Sequence, residues 1–335
     1  MFPNRKILLT LAALIFAFAC MAQGDSRVLW TNTFDENFFK EQQVGFSSDS
    51  RYLAVGYHKG NVSIFTTDSG NVVRNYLLHT SHVFCTKFRP GTSVVASGDK
   101  EGNVILYDHV ADKVIGRIKA HEKAVTAMYF TEDGKMLLTG SKDKTIKVWD
   151  AATGAPFYTM GYRGANKVQS LYVEKDGTTV VAGLTSLSNG LRYFDMTTGT
   201  ETASHSSIGN LEHFDVSPDG VTMAIGSLNK EVYIFNMKRR ALVAKWEGHK
   251  RWVTDVSYNN TGRVLFTAAN DNKVFAWLTN TMKHMPVFET KRDLKIVKCS
   301  PDGKYLAVLG VNEELTMLNV EGIEEEIKNY RPPVE

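Results

Sequence analysis

Three cysteines and eight prolines are few for a chain of 335 residues. So little cysteine excludes a disulfide-built fold, and no Cys-x-x-Cys pair is present for zinc or thiol exchange. No glycine-rich phosphate loop opens a helix, and neither His-Glu-x-x-His nor Gly-x-Ser-x-Gly occurs. The nine histidines are scattered. These absences give no reason to expect an enzyme, a cofactor or a metal. Charge of one sign is also lacking. The formal charge is +3, of which Arg5 and Lys6 supply two, so nothing draws the whole molecule to nucleic acid or anionic lipid.

One long apolar run exists, Ile7 to Ala22, after the basic start at Arg5 and Lys6. Its length, shorter than the roughly 20 residues of a membrane span, and its small residues Ala19 and Ala22 predict a cleaved secretory signal over residues 1–22. On that reading the protein is periplasmic or extracellular. An uncleaved run would tether it to a membrane, and Cys20 offers a lipoprotein alternative with a poor match at Ala17. Cleavage leaves Cys85 and Cys299, expected as buried thiols too far apart to pair. Asn61 and Asn259 open glycosylation triplets that matter only on a eukaryotic secretory route.

The rest of the chain repeats. An apolar strand, a turn (often Asp-Gly), a second apolar strand, a polar turn and a third strand recur every 41 to 43 residues. The first strands end at Phe46, Phe88, Phe130, Val173, Val216, Tyr258 and Cys299. That period, with four strands per unit, predicts an all-β fold: a single seven-bladed β-propeller of four-stranded antiparallel blades over residues 27–320. Blade seven has only three strands of its own. The unassigned strand Arg27 to Phe34 is expected to complete it, covering an open edge and clasping the ring. Residues 321–335 remain as an acidic, mobile tail with at most a helical turn. Asp133, Asp176, Asp219 and Asp302 precede glycine because the turn needs them.

In blade three Ala120-His121, Thr139-Gly140-Ser141, Asp143 and Trp149-Asp150 stand at fixed offsets, and blade six repeats His249, Thr267, Asp271 and Trp277. These residues resemble the WD-repeat family. The resemblance implies that each set of four is a hydrogen-bonded chain inside its blade, cement rather than a metal or catalytic site. Only these two blades keep the full set.

The resemblance also implies that one face of the disk grips partner proteins. The residues leading into the first strands ring that face, and five of the seven positions hold Lys or Arg: Phe39-Lys40, Ser81-His82, Lys123-Ala124, Asn166-Lys167, Gly209-Asn210, Arg251-Trp252 and Arg292-Asp293. Trp and Arg dominate binding hot spots. Lys123, Lys167, Arg251, Trp252 and Arg292 are therefore expected to bind an acidic or aromatic-containing protein segment, the plain alternative being a solvated basic rim. The longer loop from Leu184 to Gly190 is a second recognition candidate, and Lys238-Arg239-Arg240 reads as a solvated turn. No nucleic-acid partner is expected, and a membrane only through an uncleaved N-terminus.

The expectation is thus an exported, non-catalytic protein-binding scaffold. Two alternatives stand beside it. One is an intracellular WD-repeat subunit of an RNA-processing, ubiquitin-ligase or trafficking complex; the runs Phe46 to Gly56 and Gly248 to Val253 are similar to a WD-repeat subunit of an RNA-decay complex. The other is an exported propeller enzyme or ligand-binding module.

Overall fold

The computed structural model describes residues 26–34, 43–162, 167–185, 190–206, 208, 210–311 and 314–332. The expectations for residues 1–22, for Phe39-Lys40, for Asn166 and for most of the loop after Leu184 lie outside them.

Alternating side chains and Gly- or Asp-rich turns produce seven antiparallel sheets of four strands each. Blade three runs Val125–Phe130, Met136–Ser141, Thr145–Asp150 and Pro156–Gly161. Its first three strands are largely buried, whereas the outer strand is exposed at five of six residues. The turn between the first two strands is built by its carboxylate. Asp133 accepts from the Thr131 hydroxyl (2.7 Å) and the Lys135 amide (3.0 Å), and Gly134 takes φ 66°, which lacks a Cβ penalty only in glycine. Asp219 and Asp302 do the same with Ser217 and Ser300, so these aspartates serve turns rather than a carboxylate cluster.

Blades pack face to face through their apolar residues. At Gly140, a Cβ would lie 2.4 Å from Cγ1 of Val168 in the next blade. Glycine therefore lets adjacent sheets approach to contact distance. Hydroxyls fasten neighbouring first strands: Thr126 donates to the Val168 carbonyl (2.5 Å), Thr254 to that of Leu294 (3.0 Å), and Ser257 accepts from the Cys299 amide (3.1 Å).

The ring closes as the unpaired N-terminal strand requires. Val28–Thr33 pairs antiparallel with Glu314–Asn319 and completes blade seven. Trp30 stacks toward Phe65 of blade one (6.1 Å) and donates its indole N–H to the Thr67 carbonyl (2.8 Å). The strand thus belongs to the last blade by hydrogen bonding and to the first by packing. Val44, Leu53, Val55 and Phe65 share one core with Ile296, Leu309, Leu315 and Met317, which seals blade one to blade seven.

Beyond blade seven the structure differs from the expected mobile tail. Ile323–Asn329 forms a helix whose Ile323 and Ile327 are buried in the core shared by blades six and seven. Fully burying each such side chain stabilises by about 1.5–3 kcal/mol. The acidic residues do not unravel the segment because they face outward: Glu326 pairs with Arg27 (2.7 Å) and Glu324 with Lys328 (3.1 Å). Cys85 and Cys299 are both buried free thiols, pushed up to about 12 by burial.

Candidate binding face and axial channel

The two four-residue sets are continuous chains of hydrogen bonds. In blade three the Trp149 indole donates to Thr139 Oγ1 (2.9 Å), which lies 2.8 Å from His121 Nε2, and His121 Nδ1 lies 2.9 Å from Asp143. A neutral ring protonated on Nδ1 satisfies every member, each donor finding one acceptor. Blade six repeats the geometry with Trp277 to Thr267 (2.9 Å), His249 Nε2 to Thr267 (2.7 Å) and Nδ1 to Asp271 (3.0 Å). Burial raises the Asp143 carboxyl, but hydrogen bonds from His121 and Thr145 outweigh it and hold the group well below the usual carboxylate range. The same balance lowers Asp271.

Sequence reasoning missed a third chain. In blade two His79 lies 2.9 Å from Asp99 and 2.8 Å from Ser97, with Tyr107 where the others have Trp. Its signal was available: His79, His121 and His249 each stand nine residues before a first-strand end.

Of the expected rim residues, the structure brings three together. Arg251 and Trp252 share a shallow depression of about 500 Å³ with Lys230, Lys250, Asn270 and Asp293. Arg251 also borders a neighbouring depression of about 590 Å³ that includes Lys291 and Arg292. Trp252 is 44% exposed, unusual for so large an apolar side chain. Lys123 and Lys167 line neither depression. Lys123 is exposed beside blade three, where its carbonyl accepts from Ser141 (3.1 Å), and Lys167 is half-buried.

The first strands also line the axis, and there the structure holds charges that sequence reasoning passed over. Side chains one or three positions before several of the strand ends face inward. They place Lys87, Asp215, Asp255 and Lys298 around a cavity of about 160 Å³, with Tyr129, Tyr172, Ser170 and His213. Lys298 of blade seven reaches Asp215 of blade five (3.3 Å). Asp215 also accepts from the Tyr258 amide (2.8 Å), and Asp255 accepts from the amides of Val297 (3.1 Å) and Val256 (2.9 Å). Burial pushes Asp255 up to about 7 against the pull of Lys298. Burial and the Lys298 charge push Lys87 down to about 8. Burial lowers Lys298, but Asp215 and Asp255 outweigh it and raise the ammonium above its ordinary range. The signal in the sequence was a charged residue one position before the strand end at Lys87, Asp215 and Lys298, and three before it at Asp255.

Above this basin the axis is crossed. Gln43 Nε2 of blade one donates to the Gln169 carbonyl of blade four (3.0 Å), and the Gln169 side-chain amide lies 2.8 Å from His213 of blade five. Among the described residues no group of three or more metal-ligating side chains occurs, and no helix is long and apolar enough to cross a membrane.

The family model described as "WD domain, G-beta repeat" matches residues 70–108, 112–150 and 240–277. The chain is similar to pre-mRNA-processing factor 19 homolog 2 of Arabidopsis thaliana, 28% identical over 64% of this chain and 41% of that protein. It is similar to pre-mRNA-processing factor 19 of Oryza sativa subsp. japonica, 25% identical over 71% of this chain and 47% of that protein. Periodic tryptophan protein 2 of Saccharomyces cerevisiae (strain ATCC 204508 / S288c) is 23% identical over 88% of this chain and 32% of that protein. The chain therefore spans less than half the length of these relatives. The names of the first two, pre-mRNA-processing factors, overturn the expected secretory, periplasmic or extracellular location.

Proposed function

Because this chain belongs to the WD-repeat β-propeller family, we propose that it is a non-catalytic intracellular platform that holds protein partners within an RNA-processing assembly. The observation that carries this reading is the exposed Trp252 beside Arg251, flanked by Lys230, Lys250 and Arg292, on one face of a rigid ring. An aromatic ring and a guanidinium in adjoining shallow depressions offer an anchor for an aromatic side chain and charge for an acidic one. Lys123 and Lys167 would extend the basic rim toward a longer segment. The likeness to pre-mRNA-processing factors supports the setting. The hydrogen-bonded histidines serve to stiffen the blades, so chemistry is not asked of them.

Affinity purification from the source cells, comparing the unaltered chain with the Arg251→Ala/Trp252→Ala variant, tests the proposal. RNA-processing proteins should co-purify with the unaltered chain and fall at least tenfold with the variant, whose melting temperature stays unchanged. Equal recovery of those partners by a folded variant would defeat the rim assignment.

A further inference from the structure

The rim around Trp252 carries more positive charge than its surroundings balance. Lys250, Arg251, Lys291 and Arg292 line one depression of about 590 Å³, and Lys230 joins Lys250 and Arg251 in the adjoining one with Trp252. The carboxylates lining the same two depressions are Asp271 and Asp293. Five cations against two carboxylates leave an excess of three positive charges. Asp271 is moreover turned to other donors, His249 Nδ1 (3.0 Å) and the Lys250 amide (2.7 Å). Two glutamates of the same blades are engaged by other lysines, Glu231 by Lys245 (3.7 Å) and Glu289 by Lys273 (3.4 Å). Among the described residues none of the five cations has an ion-pair partner.

We infer that the cluster of Lys250, Arg251, Lys291 and Arg292 seats a phosphorylated serine or threonine of the protein partner, whose neighbouring apolar side chain rests on Trp252. The inference rests on the rim reading and names the chemistry that the rim selects. One carboxylate brings a single negative charge and leaves most of the excess standing, and two carboxylates crowded into one depression repel each other. A phosphoryl group brings about 1.5 to 2 negative charges on one centre, with three acceptor oxygens. Arg251 and Arg292 each present a planar fork that meets two such oxygens at once, and Lys250 and Lys291 add point charges. Exposed apolar side chains stand beside the cluster, Val311 in the same depression and Trp252 in the adjoining one. They suit a chain segment lying across the surface rather than a free anion. Single-stranded RNA would need a track of cations and a series of exposed rings for its bases. This face offers one cluster and one exposed ring, because the other exposed aromatics among the described residues, Phe157 and Tyr158, lie on the outer strand of blade three.

The test uses the full-length chain and three degenerate peptide libraries that differ only at the central position, which holds phosphoserine, serine or glutamate. Dodecauridylate RNA is titrated beside them. The phosphoserine library should bind at least tenfold more tightly than the other two and than the RNA, with aromatic or aliphatic residues enriched next to the phosphoserine. Lys291→Ala/Arg292→Ala should lose the preference for phosphoserine, whereas Trp252→Ala should lose only the enrichment. Lys291, Arg292 and Trp252 are exposed, so both variants should keep the melting temperature of the unaltered chain. Serine or glutamate bound as well as phosphoserine, no library bound at all, RNA bound more tightly than the phosphoserine library, or an undiminished preference in the folded Lys291→Ala/Arg292→Ala variant would each overturn the inference. Failure of the rim reading itself shows elsewhere, as undiminished partner recovery by Arg251→Ala/Trp252→Ala, so the two failures are distinguishable.

Discussion

Gln43 of the first blade and Gln169 of the fourth meet across the axis of the ring, side-chain amide to main-chain carbonyl, at 3.0 Å. Blades one and four are not neighbours, so this contact forms only when the ring is closed at the right circumference. Gln43→Ala removes one partly buried hydrogen bond and leaves the Gln169 carbonyl without that donor. A loss of about 1 kcal/mol is expected, read as a lower urea midpoint with an unchanged slope.

The clasp between chain ends carries more. Trp30 joins blade seven to blade one through its stacking on Phe65 and its bond to Thr67. Trp30→Ala should cost about 2 kcal/mol, since the side chain is half-buried rather than fully enclosed. Deleting residues 27–34 should lower the melting temperature far more, because it also exposes the Glu314–Asn319 edge. A melt unmoved by the deletion would show that the strand is dispensable.

Acid should weaken the blades through the three histidine-linked aspartates. Asp99, Asp143 and Asp271 are all held below the ordinary carboxylate range. A carboxyl lowered on folding contributes stability that is complete above its unfolded value near 3.8 and fades as pH falls through its folded value. Asp143→Asn should therefore cost about 2 kcal/mol at pH 7 and less near pH 2, where the unfolded chain's carboxyl is protonated while the folded one still resists the proton. Denaturant titrations at the two pH values give the comparison.

Asp255 behaves in the opposite sense. Its carboxyl is raised to about 7, so the stability linked to it is complete below the unfolded value and is lost as pH rises through 7. Asp255→Asn should gain on the unaltered chain between pH 5 and pH 8, by about 1–2 kcal/mol after allowance for water in the channel. Parallel melting curves that keep a constant gap over that range would contradict the assignment.

Much of this architecture was readable in the sequence because a propeller writes its period into the chain. The seven strand ends from Phe46 to Cys299 located seven blades, and the missing fourth strand of blade seven pointed to Val28–Thr33. Tertiary packing decided what was not legible. Glu324, Glu325 and Glu326 suggested a solvated tail, yet Ile323 and Ile327 dock the helix on blades six and seven. The charges of the axial basin come from four blades. No local window brings Lys87 near Asp255, and only the ring does so. His79 was hidden because Tyr107 replaces the tryptophan that flags its counterparts.

The central claim, that the rim around Arg251 and Trp252 seats a protein partner, is tested most directly by hydrogen–deuterium exchange of the chain with and without its captured partner. Slower exchange is expected in segments 250–253 and 291–294, with the outer strand Pro156–Gly161 unchanged. Protection confined to outer strands or to the opposite face, with segments 250–253 and 291–294 unaffected, would contradict it.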